Sequence, residues 1–192
     1  QLAWHSSIVF EKSFSDEVNL APRKVKIPLF GCPEDGLKEN EWSHRNWARV
    51  RGNYVVNAGN TDYGQAAKNG VAFRGAPFAP RAGVQMAAIR DGLSNTLLTA
   101  EVITTLSSEW WGGPISDFSI SLGGQTFTGW FGPNSPTPDE AARECPRPEQ
   151  YNGIPGCTLI SANGESSKRG AYAARSKHAG GVTTAMCDGS VH

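Results

Sequence analysis

The sequence predicts an α+β chain, mainly an antiparallel β-sheet carried between long irregular loops. Three observations lead there. Glycine and proline number 22 and 12 among 192 residues, which favours short strands and turns over long helices without reaching the composition of a disordered chain. β-Branched and aromatic residues gather in short runs, clearest at 53–57 and 96–105. Glycine-bearing dipeptides stand where such runs must reverse, at Gly123-Gly124, Gly180-Gly181 and Asp188-Gly189.

Taken in order, residues 1–20 mix apolar and charged positions, and Ile8, Val9, Phe10 and Phe14 fit a short strand or a helix end. Val25–Phe30 alternates and is bounded by Pro28 and Cys32-Pro33, which predicts an edge strand or extended segment. Residues 36–47 are polar and charged, a surface loop or one helical turn. Asn53–Asn57 is a strand. Residues 59–82 are rich in Gly, Asn and Pro and form one long irregular loop, of the kind that carries function or assembly contacts. Met86–Ile89 leads into an Asp91-Gly92 turn, with Ser94 or Asn95 placed to cap the next segment. Thr96–Thr105 is the strongest β segment.

Beyond it, Trp110-Trp111-Gly-Gly marks a turn, and Phe118–Leu122 pairs with Thr126–Phe131 across Gly123-Gly124. Residues 132–157 form a loop region, and Leu159–Ala162 a short strand. Ala171–Arg175 leads to His178 and a terminal hairpin. In that hairpin Gly180 and Gly181 turn the chain into a strand at Val182–Cys187, Asp188-Gly189 reverses it, and Val191 starts the return.

Formal net charge is zero and charged residues are 19% of the chain. No clustered basic face is present, so nucleic acid is not an expected partner. No run approaches the ~20 apolar residues of a membrane helix. The four cysteines, Cys32, Cys145, Cys157 and Cys187, match no zinc spacing. Cys145 and Cys157 bracket a Pro/Gly-rich loop, and a disulfide there would remove roughly 3 kcal/mol of unfolded-state loop entropy. Cys32 and Cys187 remain, and the even count permits a second bridge. That pattern suits an oxidising, extracytoplasmic compartment, periplasm or cell surface; four reduced cysteines in a cytosolic protein is the alternative.

Three constellations could carry chemistry. His178 and Asp188 flank a strand and could serve as a base and its orienter, but Ser176 and Ser190 lie in no strained nucleophile turn. A structural role for His178, fixing the turn, is the simpler account. Acidic residues in turn-rich segments, Asp91, Glu101 and Asp188 among them, are of the type calcium takes, although a plain turn explains both Asp-Gly pairs. Trp42, Trp47, Trp110, Trp111 and Trp130 lie in loops or at strand ends, where they could stack on sugars, anchor an interface, or simply fill the core. No resident cofactor is expected.

Four segments in order resemble the motifs of a large family of prepilin-like proteins, abundant in planctomycetes and related bacteria, whose domain has no established activity. They are Cys32-Pro33-Glu34-Asp35, with Glu where the family has Ser; Asn53-Tyr54-Val-Val-Asn57-Ala58-Gly59; Asp91-Gly92-Leu-Ser94-Asn95-Thr96 with Glu101 behind it; and His178, nine residues, then Asp188-Gly189. The resemblance implies a pseudopilin-like globular head, with residues 1–192 a single extracytoplasmic domain. It implies a fragment of a longer chain whose N-terminal pilin helix, the only membrane contact, lies outside it. It also implies a non-enzymatic subunit that works by assembly with other protein subunits, like copies or neighbours. By analogy, calcium in the C-terminal loops of secretion pseudopilins adds only slight weight to a calcium alternative at Asp91, Glu101 and Asp188, and no metal remains the expectation. Cys32 and Cys187 each adjoin a motif, so their pairing would tie the first extended segment to the last strand. The alternatives are a carbohydrate- or solute-binding module using loops 59–82 and 106–135, and a hydrolase using His178.

Overall fold

The computed structural model describes residues 2–13, 16–35, 41–42, 48–80, 82–105, 125–141, 145, 148–160 and 170–192. Its fold is α+β. Short helices at Leu2–Ser6 (α1) and Leu20–Arg23 (α2) precede the strands β1 (Glu41–Trp42), β2 (Arg49–Val50), β3 (Tyr54–Asn57), β4 (Leu97–Glu101), β5 (Thr126–Phe127), β6 (Asp139–Ala141), β7 (Cys157–Leu159) and β8 (Thr184–Met186).

The main sheet has the order β5-β3-β4-β8. β3 and β4 are antiparallel with Tyr54 opposite Glu101 and Val56 opposite Thr99. β4 and β8 are antiparallel with Leu97 opposite Met186 and Ala100 opposite Thr184. The terminal hairpin forms as expected, with Met186 N donating to Ser190 O and Ala185 bridging Val191. β5 departs from expectation: it lies parallel to β3, Val56 opposite Thr126. The sheet is therefore mixed, and its expected hairpin partner Phe118–Leu122 lies outside the described residues. β6 and β7 form a separate parallel pair, and β1 and β2 an antiparallel one.

Two local expectations are corrected. Pro28–Phe30 is a 3₁₀ turn, not an extended strand, with Phe30 N bonded to Ile27 O and Gly31 N to Pro28 O. Pro28 presets a helical φ at the first position of that turn and lacks the donor a strand needs. Ser94 and Asn95 do not cap the segment that follows, which is the strand β4; they lie inside a 3₁₀ turn at Leu93–Asn95, flanked by Gly92 at φ +89°, and the Asn95 side chain donates back to Asp91 O.

Among the described residues the apolar core falls into two clusters. Val55, Ala100, Val102, Phe127 and Ala174 form one cluster, and Ile103, Ala141, Ile154 and Tyr172 the other. Residues 170–176 run between them, all buried. This segment is no strand, yet its backbone is paired throughout the fold. Gly170 O accepts from Tyr63 N, Ala171 bonds Glu140, Tyr172 O accepts from Thr128 N, Ala174 O accepts from Asn134 N, and Arg175 N donates to Glu101 O. Buried irregular chain is tolerated because those groups are satisfied.

Cys145 and Cys157 are bonded, with Cα atoms 5.7 Å apart, and the bridge lies against the second cluster. Closing about a dozen residues, it should contribute about 3 kcal/mol. Replacing both cysteines with serine is expected to lower the free energy of urea unfolding by that amount, and a loss under about 1 kcal/mol would show that the loop is held by other means.

Candidate functional site

The strand β3 is one motif long, and its two asparagines stand at opposite ends of the sheet. Asn53 precedes β3 at the Glu101 end of β4; Asn57 closes it at the Leu97 end, where its amide donates to Leu97 O at 2.7 Å. The motif segments therefore gather in two places, about 13 Å apart along β4.

At the Leu97 end, the Asn57-Ala58-Gly59 and Asp91-to-Thr96 segments face a cleft of about 750 Å³ lined by Asn57, Asn60, Arg74, Asp91, Asn95 and Phe127 among others. Gly59 is required there: its φ is +100°, and a Cβ would stand 2.5 Å from the Phe73 ring and 2.8 Å from Gly75 O. The amides around the cleft are already engaged. Asn57 Oδ1 accepts from Gly59 N, Asn60 bonds Ala72 O and Arg74 N, and Asn95 bonds Asp91 O.

At the Glu101 end, Asn53 sits at the centre and is 1% exposed. Its Oδ1 accepts from Cys32 N at 2.8 Å, and its Nδ2 donates to Asp35 Oδ2 at 2.7 Å and to Val102 O at 2.9 Å. Its backbone bonds Phe30 O and Val102 N. Asn53 thus clamps the Cys32-Pro33-Glu34-Asp35 segment onto the continuation of β4. Asp35 gathers further donors: Thr104 N at 3.0 Å, Thr104 Oγ1 at 2.6 Å, Asn152 Nδ2 at 2.9 Å and the Lys177 ammonium at 3.3 Å.

His178 arrives at this end because it precedes β8, which runs antiparallel to β4. Its Nε2 lies 3.4 Å from Cys32 Sγ and 3.8 Å from Glu101 Oε1. The Glu101 side chain is 1% exposed and that of His178 42%. Burial, reinforced by the Glu101 carboxylate, pushes the Cys32 thiol above its ordinary pKa, and burial with the same carboxylate raises Tyr54. Cys32 is therefore a protonated thiol at neutral pH. Both neighbours of His178 meet the same ring nitrogen. A base held by an orienting acid uses its two nitrogens separately, so this is not a relay.

The base-and-orienter pairing of His178 with Asp188, the less simple alternative to a structural role, does not form, and Asp188 takes the turn position expected of it. Asp188 lies past the other end of β8, where Cys187 N bonds Thr96 O. Its exposed carboxylate accepts from Ser190 N at 2.9 Å and Ser190 Oγ at 2.7 Å, which holds its pKa below the ordinary value. It is a turn-former. Asp91 is likewise exposed in a turn. The three residues suggested for calcium are thus distributed over both ends of β4, and Glu101 instead shares its surroundings with a thiol and an imidazole.

The second bridge is also corrected: Cys32 and Cys187 are free and buried. Cys32 faces His178 and Glu101, whereas Cys187 closes β8 beside Thr96, so the register of β4 and β8 separates them. Gly180 and Gly189 adopt positive φ in the turns expected of them, and Gly181 is exposed. Of the five tryptophans, Trp130 is half-buried with the Lys68 ammonium 5.1 Å from its ring centre. Trp47, Trp110, Trp111 and the side chain of Trp42 lie outside the described residues. Sequence reasoning missed Thr104, Asn152 and Lys177 as partners of Asp35, and the buried Arg175–Asp139 pair; none carries a local signal.

The fold and its two motif clusters define an α+β domain in which separated short motifs fold against one another. Residues 1–192 match the model of the family described as Protein of unknown function (DUF1559), and the chain belongs to that family. No curated protein and no solved structure matches it.

Proposed function

We propose that this chain is a non-enzymatic, pseudopilin-like head domain at the outside of the cell, working through contact with other copies of itself in a surface assembly. The observation that carries the reading is the distribution of exposed apolar side chains. Among the described residues, six of the eleven exposed large apolar side chains, Val9, Phe10, Val18, Val25, Leu29 and Phe30, fall between positions 9 and 30, Leu29 exposed to 69% and Phe10 to 63%. Exposed apolar residues concentrated in one stretch mark a contact surface. The resemblance of the four motifs, in order, to those of prepilin-like proteins supports it. The Cys145–Cys157 bond fits an oxidising compartment. No helix among the described residues is long and apolar enough to cross a membrane.

Sedimentation velocity at micromolar concentration tests the reading. The chain is expected to associate through an interface of more than roughly 1,000 Å². The double variant Val25→Ser, Leu29→Ser should dissociate it at unchanged monomer stability, since both side chains are exposed. A strict monomer, unaffected by the substitutions, would reject it.

The cleft at the Leu97 end favours a second reading, a solute-binding module. Its mixed lining and its volume suit a small polar ligand. The prior engagement of Asn57, Asn60 and Asn95 leaves the charged groups of Arg74, Arg90 and Asp91 to recognise one, and with the amides of the cleft already committed this reading is the weaker.

A further inference from the structure

We propose that Cys32, Glu101 and His178 form a binding site for a divalent transition metal ion of the zinc class, with one coordination position open to solvent. Cys32 Sγ, a Glu101 carboxylate oxygen and a His178 ring nitrogen all lie within 4.8 Å of one another. Tetrahedral zinc, with bonds of about 2.3 Å to sulfur and about 2.05 Å to nitrogen and oxygen, places S and N about 3.5 Å apart and N and O about 3.4 Å apart. The separations here are 3.4 Å for Cys32 Sγ to His178 Nε2 and 3.8 Å for Nε2 to Glu101 Oε1. The ligands already stand near coordination spacing around a common point.

A second, independent observation points to an absent cation. The Glu101 side chain is 1% exposed, and its Oε2 is buried with no hydrogen-bond partner. A buried carboxylate oxygen without a partner is costly. The Glu101 carboxylate has the His178 ring within 3.8 Å, and Lys177 beside it is turned to Asp35 and Asn152. A divalent ion bound to the Glu101 carboxylate neutralises the charge that this orphaned oxygen shares. Binding exchanges the Cys32 S–H proton, released to solvent, for a metal–thiolate bond. Thiolate and carboxylate then carry two negative charges against the ion's two positive ones, so the buried group becomes neutral.

Sulfur, nitrogen and one carboxylate select a borderline-soft ion over calcium or magnesium, which take oxygen. Among the described residues three protein ligands leave a fourth position free, the open arrangement, and the partly exposed His178 provides the way in. The ion would join three segments far apart in sequence: the turn after Phe30, the end of β4, and the turn before β8. The site depends on its ligand geometry and the orphaned Glu101 oxygen, and not on the assembly reading.

The test uses the full chain, stripped with chelator under non-reducing, anaerobic conditions that keep the Cys145–Cys157 bond. Zn²⁺ is titrated against a chromophoric competitor, and Co²⁺ is used as a spectroscopic probe. One equivalent of Zn²⁺ should bind, and Co²⁺ should show a thiolate-to-metal charge-transfer band. Cys32→Ser should abolish that band, and both Cys32→Ser and His178→Gln should weaken Zn²⁺ binding by roughly tenfold or more. Cys187→Ser should change neither. His178→Gln alters a part-exposed side chain and decides the matter if Cys32→Ser does not fold. Absence of stoichiometric Zn²⁺ binding, a Co²⁺ complex without the thiolate band, or binding unchanged in His178→Gln would each overturn the proposal.

Discussion

Arg175→Ala is expected to destabilise the chain by about 3–5 kcal/mol, the usual cost of leaving one member of a buried ion pair alone. Arg175 and Asp139 have side chains only 4% and 1% exposed. The Arg175 guanidinium donates to both Asp139 oxygens and also to the carbonyls of Ser135 and Thr137. Asp139 in turn accepts from Ala173 N, so the pair fastens the first residue of β6 to the buried 170–176 segment. Removing the arginine strands a carboxylate and frees two carbonyls.

The pH dependence identifies the cause. Burial raises the pKa of Asp139 even with Arg175 beside it, the arginine lowering it only in part. Without Arg175 the folded-state pKa must rise further. A folded-state pKa above the unfolded value means that the native state binds the proton more tightly, so stability increases as pH falls through the folded pKa. The deficit of Arg175→Ala relative to the parent should therefore shrink on acidification. Urea unfolding across pH measures it; a deficit independent of pH would show that the lost carbonyl contacts, not the stranded charge, dominate.

The strands that could be read from the sequence are those with local signals. Tyr54–Asn57 and Leu97–Glu101 fall in short runs rich in Val, Ile, Thr, Leu and Tyr, and the Asp188-Gly189 turn returns Val191 to Ala185. The Cys145–Cys157 bond was legible because the cysteines enclose a Pro/Gly loop with little apolar content of its own. The parallel pairing of β5 had no such signal, since a two-residue parallel contact is set by a long crossover. Residues 170–176 were equally opaque. Ala171, Ala173 and Ala174 carry little hydrophobic surface, and backbone hydrogen bonds, which composition does not reveal, place them.

The candidate site was half legible for a related reason. The motifs marked Cys32, Asp35, Asn53, Glu101 and His178 individually. Proximity in sequence then offered Asp188, ten positions on, as a candidate partner of His178. An antiparallel strand lies between the two and carries Asp188 to the opposite end of β4, while it brings Glu101, 77 positions earlier in the numbering, to 3.8 Å. Cys32 and Cys187 are separated by the same register. Pairings across a sheet follow from strand order, and strand order is the property that short motifs do not encode.

Asp35→Ala is expected to cost about 3–5 kcal/mol, comparable to the loss of a buried charged partner and a large share of the ~5–15 kcal/mol available to a domain. Asp35 is 4% exposed and accepts from four side chains and one backbone amide. Asn53 and Asn152 keep their second acceptors, Val102 O and Thr104 O. Thr104 N and its hydroxyl lose theirs, and each buried unsatisfied donor costs about 1–3 kcal/mol. Asp35→Asn should recover little, because its amide nitrogen would face the donors that the carboxylate now receives. Asp91 and Asp188 stand in similar acidic turn segments of the sequence but are exposed in the structure, so Asp91→Ala and Asp188→Ala should each leave stability close to that of the parent. Urea denaturation of the four variants orders them. If Asp35→Ala fell no further than Asp188→Ala, the segment at Cys32 would have to be held by Asn53 alone, and the clamp at this end of the sheet would be smaller than its hydrogen bonds indicate.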